Sequence, residues 1–518
     1  MIRASHVSVA LDSITSSFSR GVRTVLIPML RGISMAAGHR PSLWEAAIVL
    51  VGAIAVASFV LVPTAGLVVG IGCVAVLSLG TVADALGGKI DGILLWWAGV
   101  FPLGYYFLSF PREQSIVTLD RVVMLLAFIG LFLAKHKSQT EVPKGLRQAA
   151  LAFLLFFAVS CTTLGNSASP LNAARILFDS FLLPLALGWC VIARFDVRGR
   201  LPTIHTAVCI SSIISAAVAA AEIVTGQDLL PLGPPATAYE GIVRPNGPFE
   251  SNDSLALIGA VSFFFLLFLR AALGPALSTG RRLLHSVGLA AALGMALMPM
   301  FRSVAITMLV VLIMDTFWEQ RTSRRAWRVV LMLASAGVIF LLPIVAPRVF
   351  EDRSNGQNGY ARIAEYQQSL RVFAEHPVLG IGFQNFNRYV AGESRYVASY
   401  NGVYSVDWPH SNLAQVLTET GLLGFVPYVM ASVLLFRQMW QWRHSSNSAY
   451  LAWKYFLYIF LSYWITGITE GSGYSPLNLW CVFVIAVSCK YVLTEPDLVP
   501  SEEVLASNLA FSVPSQVF

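Results

Sequence analysis

From Trp44 to Leu493 the chain alternates between long apolar runs and short polar connections. Many runs approach the roughly 20 residues that a helix needs to cross a bilayer. Run length and flanking charge predict about 14 transmembrane helices, within a range of 12–14. They cover 44–62, 65–84, 92–109, 117–134, 147–164, 173–193, 202–223, 254–273, 283–300, 303–317, 328–346, 412–436, 451–468 and 476–493, of which 303–317 is the shortest. The pattern predicts an all-α, polytopic helical membrane protein. A membrane barrel would show alternating segments of about ten residues instead. No internal repeat is evident.

The connections set the orientation. Every second one is basic: "AKHKSQTEVPKGLRQ", "ARFDVRGR", "RAALGPALSTGRR", "EQRTSRRAWR" and "RQMWQWRH". Basic connections collect on the cytoplasmic side, so both termini are expected there. The expected organisation has a basic amphipathic tail (1–43), eleven spans (44–346, with an outer loop at 224–253), a large loop (347–411), three spans (412–493) and a cytoplasmic tail (494–518). In the first tail Val7, Leu11, Ile14, Phe18, Val22 and Val25 recur at helical spacing beside Arg20, Arg23, Arg31 and Arg40. That combination suggests an interfacial helix on the inner leaflet, although serine-rich, acid-poor tails also resemble organelle transit peptides. The 347–411 loop then faces outward, into the periplasm of a bacterial inner membrane. Its many aromatic residues argue for order, and "RIAEYQQSLRVFAEHP" reads as a helix ended by Pro377.

Composition narrows the function. Of 518 residues, 56% are hydrophobic and 12% charged, against about 25% charged in an ordinary soluble protein. The formal net charge of +7 reads as membrane orientation rather than nucleic-acid binding. All six cysteines fall in or beside apolar runs, so neither a disulfide framework nor a metal cluster is suggested. There is no DxD in the outer loops, no GxSxG, no P-loop and no paired Cys/His spacing. A metal-dependent nucleotide-sugar transferase and an ATP-driven pump are therefore not signalled, and no cofactor or metal is expected.

Topology sorts the eight histidines and leaves His376 and His410 on the outer side. His410 lies in "DWPHSNLAQVLTETGLLG" (407–424), at the mouth of an apolar helix that Ser411 or Asn412 would cap. Asn412, Gln415 and Glu419 share one helical face. Glu419 falls about two turns inside the membrane, where a carboxylate faces a polar cavity or a partner. The plainer alternative makes His410 a loop residue beside a cap and pairs Glu419 with an arginine. Arg175, Arg244, Arg302, Arg362 and Arg371 also fall on the outer side, against the positive-inside trend. The guanidinium fork suits phosphate and diphosphate groups. Arg388 and Arg395 read as solvated loop residues. "HPVLGIGFQNF" (376–386) lacks the strand–helix context of a nucleotide site and reads as a tight turn packed onto the membrane face.

"EHPVLGIGFQNF" followed by "PHSNLAQVLTETGLLG" resembles the paired signature of the O-antigen ligase and Wzy-type polymerase family. "FRSVAI" and "VRPNGPFESND" resemble two further family elements, so the likeness spans roughly 244–424. The resemblance implies an integral glycosyltransferase that works without metal or nucleotide. Its donor would be an undecaprenyl-diphosphate-linked oligosaccharide and its acceptor a second glycan, lipid A–core or a protein. It implies His410 as base or acceptor-orienting group, Arg244 and Arg302 on the diphosphate, and Glu419 orienting one of these. Arg175, Arg362, His376 and Asn412 follow as substrate-binding candidates. The lipid bilayer, a chain-length regulator and export proteins would be its partners. Exopolysaccharide or O-antigen polymerisation or ligation is the expected role. The rival from another class is a lipid-linked oligosaccharide flippase, which typically has two similar halves and short outer loops.

Overall fold

The computed structural model describes residues 82, 84–107, 117–133, 141–227, 238–239, 242–274, 278–318, 357–406, 408–469 and 477–495. The predicted tail 1–43, the spans 44–62 and 328–346 and almost all of 65–84 lie outside them.

The described chain is helical. It begins with α1 (Asp91–Phe107), α2 (Leu119–Leu133), α3 (Lys144–Thr163), α4 (Pro170–Leu177), α5 (Leu183–Arg194) and α6 (Val197–Thr225). The hairpin β1 (Ala238–Tyr239) and β2 (Ile242–Val243) leads to α7 (Asn252–Leu273), α8 (Thr279–Leu297) and α9 (Arg302–Trp318). The large loop holds α10 (Gln357–Glu375), the short α11 (Phe386–Val390) and the hairpin β3 (Ser399–Tyr400) and β4 (Val403–Tyr404). The last helices are α12 (Asn412–Trp442), α13 (Asn447–Thr469) and α14 (Leu477–Leu493). The expected helix before Pro377 is therefore present as α10.

Among the described residues, five segments are long and apolar enough to cross a membrane: Lys144–Asn166, Pro170–Arg194, Val197–Thr225, Asn252–Leu273 and Asn412–Trp442. They coincide with predicted spans at 147–164, 173–193, 202–223, 254–273 and 412–436. The chain is a multi-pass helical membrane protein. The other predicted spans within the described residues correspond to helices that are shorter or less apolar.

Local chemistry sets several boundaries. The Asp196 side chain accepts from the Gly199 N–H at 3.0 Å and starts α6, which ends on Gly226 at φ +68°. Ser278 starts α8 in the same way. Between α4 and α5 a π turn (Phe178–Leu182) presents Asp179 to Arg121, which donates through Nε and Nη2 at 2.7 Å each.

Helix association in a bilayer gains little from water expulsion and relies on close packing and polar links. α7 shows both. It is buried along most of its length, and a Cβ on Gly259 would fall 2.5 Å from the Ala296 nitrogen of α8. Trp480 on α14 donates to Ser262 at 3.0 Å and stacks on Phe101 with centroids 5.0 Å apart. Lys454 and Tyr458 of α13 both reach Asp315 on α9.

These contacts also sort the helix ends. Gly259 against Met295 and Ala296 brings the end of α8 to the start of α7. Phe264 meets Tyr458 and Phe268 meets Tyr455, so α13 runs antiparallel to α7 and finishes beside its start. The Gly247 N–H donates to Glu222 near the end of α6. Tyr366 of α10 donates to the Ile468 carbonyl at the end of α13. The large loop, the 243–252 segment, the 298–302 turn and the ends of α6 and α13 thus share one end of the bundle. The other end carries Lys144, Arg147, Arg194, Arg198, Arg200, Arg270, Arg281, Arg282, Arg437 and Arg443.

This separation of charge predicts opposite labelling of two exposed positions in a cysteine-free chain. Ser394→Cys in the loop should react with a membrane-impermeant maleimide when only the outer membrane is permeabilised. Ser445→Cys at the basic end should react only after inner-membrane lysis. The reverse order would invert the orientation.

Candidate functional site

The site is organised around a break in α12. At Gly421 the backbone takes φ +60° and ψ −167°, and the helical ladder is interrupted. In an unbroken helix the N–H groups of Leu422 and Leu423 would bond to the carbonyls of Thr418 and Glu419. Instead they donate to the carbonyls of Pro377 (2.9 Å) and Val378 (3.1 Å). The two released carbonyls accept from Ile381 and Gly382, each at 3.0 Å. Segment 377–382 is thereby inserted into the helix by four backbone hydrogen bonds.

The glycines of both sequence motifs make this insertion possible. Gly380 sits at φ +69°, and a Cβ there would lie 2.5 Å from the Thr418 oxygen. A Cβ on Gly421 would lie 2.3 Å from the Val378 oxygen. The expected turn packed on the membrane face is therefore a turn that completes a membrane helix.

Further contacts fix the loop. The Phe383 N–H donates to Thr163 Oγ at 3.3 Å, and its ring is buried with Phe156, Phe181, Val416 and Tyr428. Val372, Ile381, Phe386, Val390 and Tyr396 form a small core of the loop's own. His376 belongs to that core's polar edge: its Nε2 lies 2.6 Å from the Tyr389 hydroxyl. Tyr396 donates to Glu375 at 2.6 Å. Burial, followed by the bonds to Glu375 and Tyr389, raises the Tyr396 phenol above its ordinary pKa, so it stays protonated as the donor.

The break also changes the setting of α12's first turns. Leu422, Leu423 and Val426 are exposed, whereas Asn412, Gln415, Thr418 and Glu419 are buried within protein. The three polar residues predicted to share a face do so, and Gln415 Nε2 donates to Glu419 Oε1 at 3.3 Å. Ser411 supplies the cap, accepting from the Ala414 N–H at 3.4 Å.

His410 stands immediately before this cap, and its partner is a carboxylate absent from the sequence-based set. Glu365 Oε2 lies 3.0 Å from His410 Nδ1. Arg362 Nη1 lies 3.5 Å from the same oxygen, one turn back along α10. Glu365 is buried, while the His410 side chain is 32% exposed. A carboxylate on Nδ1 favours the tautomer with its proton there, leaving Nε2 with the lone pair. Glu419, the carboxylate expected to orient His410 or an arginine, accepts from Gln415, and the carboxylate on His410 is Glu365. Glu365 was hard to find because α10 buries polar side chains beside apolar ones and exposes several large apolar ones. Glu365, Gln368 and Ser369 are on its buried face, while Ile363, Tyr366 and Leu370 are exposed. The Arg-x-x-Glu spacing of "RIAE" was the one local signal.

Another turn on this end lies against Arg244 and leads into Arg302. Arg244 is buried, donates from Nε to the Pro299 carbonyl at 3.0 Å and lies 5.8 Å from the Phe301 ring centroid. That turn includes Met300 at φ +54° and leads directly into Arg302, the first residue of α9. Arg175 lies partly buried on α4, whose Ala173 and Leu177 pack in the Phe383 cluster. The other described histidines lie apart from the loop: His205 and His285 bond to each other at 3.1 Å, and His444 follows α12.

A histidine–carboxylate pair lies at the same end of the helical bundle as Arg244 and Arg302. Residues 254–429 match the family model described as O-antigen ligase, which bears out the resemblance carried by the motifs. The match encloses Arg302, Arg362, Glu365, His376, His410, Asn412 and Glu419, and leaves Arg175 and Arg244 outside. No curated protein matches the chain.

Gly380→Ala and Gly421→Ala should each release the loop. A left-handed backbone costs a non-glycine residue about 1–2 kcal/mol before any clash. Limited proteolysis should cut between 377 and 406 much faster in both variants than in wild type. Gly359→Ala, where a Cβ would meet nothing within 4 Å, should leave the cleavage rate unchanged.

Proposed function

We propose that this protein is an integral inner-membrane glycan transferase. It takes glycan from an undecaprenyl-diphosphate donor on the periplasmic face and passes it to an acceptor hydroxyl, as a polymerase or ligase of exopolysaccharide or O-antigen. The observation that carries the reading is the His410–Glu365 pair at 3.0 Å, inside the O-antigen ligase match and on the same end of the bundle as Arg244 and Arg302.

The chemistry follows from these groups. A diphosphate is already a good leaving group, so the protein must activate the acceptor and stabilise charge on the departing phosphates. His410 Nε2 takes the proton of the acceptor hydroxyl as its oxygen bonds to the donor's anomeric carbon. The bond from that carbon to the diphosphate oxygen breaks, and the electron pair leaves with the diphosphate. Arg244 and Arg302 hold the growing negative charge. The imidazolium then releases its proton to solvent. Glu365 holds the ring in its reactive tautomer and stabilises its charged form. Arg362 balances Glu365, Arg175 and Asn412 contact substrate, and Glu419 keeps the polar face of α12 in order. His376 is assigned to holding the loop together through Tyr389. An apolar cavity of about 210 Å³ between α3, α5, α12, α13 and α14, lined in part by Phe153, Trp189, Leu435 and Val482, suits a short stretch of the isoprenoid chain. The reaction uses no metal or cofactor.

A deletion strain tests the class. Loss of polymer with single repeats retained marks a polymerase, and polymer left on its lipid carrier marks a ligase. Donor retained on the inner leaflet would mark a flippase and overturn the transferase.

Purified variants test the roles. His410→Ala should lose roughly 10²–10⁴-fold in turnover at unchanged thermal stability. His376→Ala should retain more turnover and lose stability instead. Near wild-type transfer by His410→Ala would remove the base.

Arg302→Ala and Arg302→Lys should both fall well below wild type at matched expression, because lysine keeps the charge but not the fork. For Glu365→Gln, an orienting bond to a charged ring is worth about 1.5–3 kcal/mol. Its kcat should fall roughly 10- to 150-fold with the donor KM unchanged. A rise in KM alone would assign Glu365 to binding.

A further inference from the structure

α6 carries a single acidic residue, Glu222, and it stands where a carboxylate is least welcome. It lies in the last turn, beside the negative end of the helix dipole. It is also 0% exposed, in a segment long and apolar enough to cross the membrane. Ile223 and Val224 next to it are exposed, so this turn directs its charge inward and its apolar side chains outward. The helix end is closed by Gly226, whose N–H donates to the Glu222 backbone carbonyl, so the cap does not use the side chain.

That side chain reaches the segment that carries Arg244. Glu222 Oε2 accepts from the Gly247 N–H at 2.8 Å, across 25 residues of sequence. Every residue from Val243 to Phe249 is buried. Gly247 takes φ +58° and lies against α6: a Cβ there would fall 3.5 Å from the carbonyl oxygen of Ser215, about two turns before Glu222. Three residues before Gly247, Arg244 is 8% exposed and donates from Nε to the Pro299 carbonyl at 3.0 Å. Pro299 stands three residues before Arg302, the first residue of α9. One line of contacts therefore runs from Glu222 through Gly247 to Arg244, and from Arg244 to the turn that opens α9.

We propose that Glu222 is the positioning residue for the diphosphate-binding arginines. A guanidinium recognises phosphate by the direction of its rigid fork, so a shift of the backbone beneath it misaims the fork and leaves the charge unchanged. Glu222 holds that backbone at Gly247. It thereby fixes Arg244 and, through the Pro299 carbonyl, the approach to Arg302. A carboxylate repels a diphosphate, so Glu222 acts through the N–H it holds and not on the donor. The residue lies outside the matched family region, and its partner segment carries no acidic spacing that would announce the contact. This inference rests on the diphosphate role given to Arg244 and Arg302 above.

The test is equilibrium binding of sugar-free undecaprenyl diphosphate to the full-length protein in nanodiscs, which does not depend on turnover. Arg244→Ala should weaken binding, and Glu222→Leu, which removes the acceptor, should weaken it roughly tenfold. Glu222→Gln keeps an oxygen for the Gly247 N–H and should stay within about twofold of wild type. In an Arg244→Ala background Glu222→Leu should cost less than about twofold more, because the group it aims is gone, while its effect on melting temperature is the same in both backgrounds. If Glu222→Leu does not fold, Glu222→Asp takes its place with the same expected direction, since it keeps the charge but draws it back by one methylene. Wild-type affinity in Glu222→Leu beside a weakened Arg244→Ala would overturn the positioning role and leave the diphosphate arginine standing. A full further loss in the Arg244→Ala background, or a loss in Glu222→Gln equal to that in Glu222→Leu, would also overturn it. Wild-type affinity in Arg244→Ala would remove the diphosphate role and this inference with it. Coupled loss of undecaprenyl diphosphate, with no glycan transfer by wild type, would uphold Glu222 and sink the transferase.

Discussion

No backbone N–H or carbonyl can be left unpaired where water is scarce. α12 breaks at Gly421 and would leave two donors and two acceptors without partners. Segment 377–382 supplies the complementary set, bond for bond. Most of the site's geometry depends on that exchange. It fixes the far end of α10 and carries Phe383 into its apolar pocket. It also encloses the first turns of α12 in protein, where Asn412, Gln415 and Glu419 make a polar layer. The glycines of the two motifs serve the same contact from opposite sides.

Much of this architecture was legible in the sequence, because helices that cross a bilayer announce themselves by length and polarity. The run at 412–436, its Ser411 cap and the shared face of Asn412, Gln415 and Glu419 follow from 3.6-residue periodicity alone. The helix before Pro377 was legible for the same reason. Arg244 and Arg302 stood out as arginines against the charge trend, although the contact of Arg244 with the turn before Arg302 was not visible.

What sequence reading missed has a physical cause in each case. Glu365 lies 45 residues before His410, and no local rule connects them. Polar residues on an amphipathic helix ordinarily face water, so the buried Glu365, Gln368 and Ser369 of α10 read as outward-facing. Glu419, expected to orient His410 or an arginine, shares a helix with the site. His410 pairs with Glu365 from the loop, and Glu419 accepts from Gln415. The backbone exchange was hidden for another reason: glycine spacing reports permissive dihedrals and says nothing about which chain segment approaches.

The exchange at Gly421 also imposes an order of assembly. Residues 377–382 are synthesised some forty residues before the helix that pairs with them. Until α12 has emerged and entered the bilayer, Ile381 and Gly382 lack their acceptors, and α10 has nothing on which to lay its polar face. The loop therefore cannot mature as a free-standing unit. Its final form and the final form of the membrane helix are a single cooperative event, and the histidine at their junction acquires its carboxylate only when both have arrived.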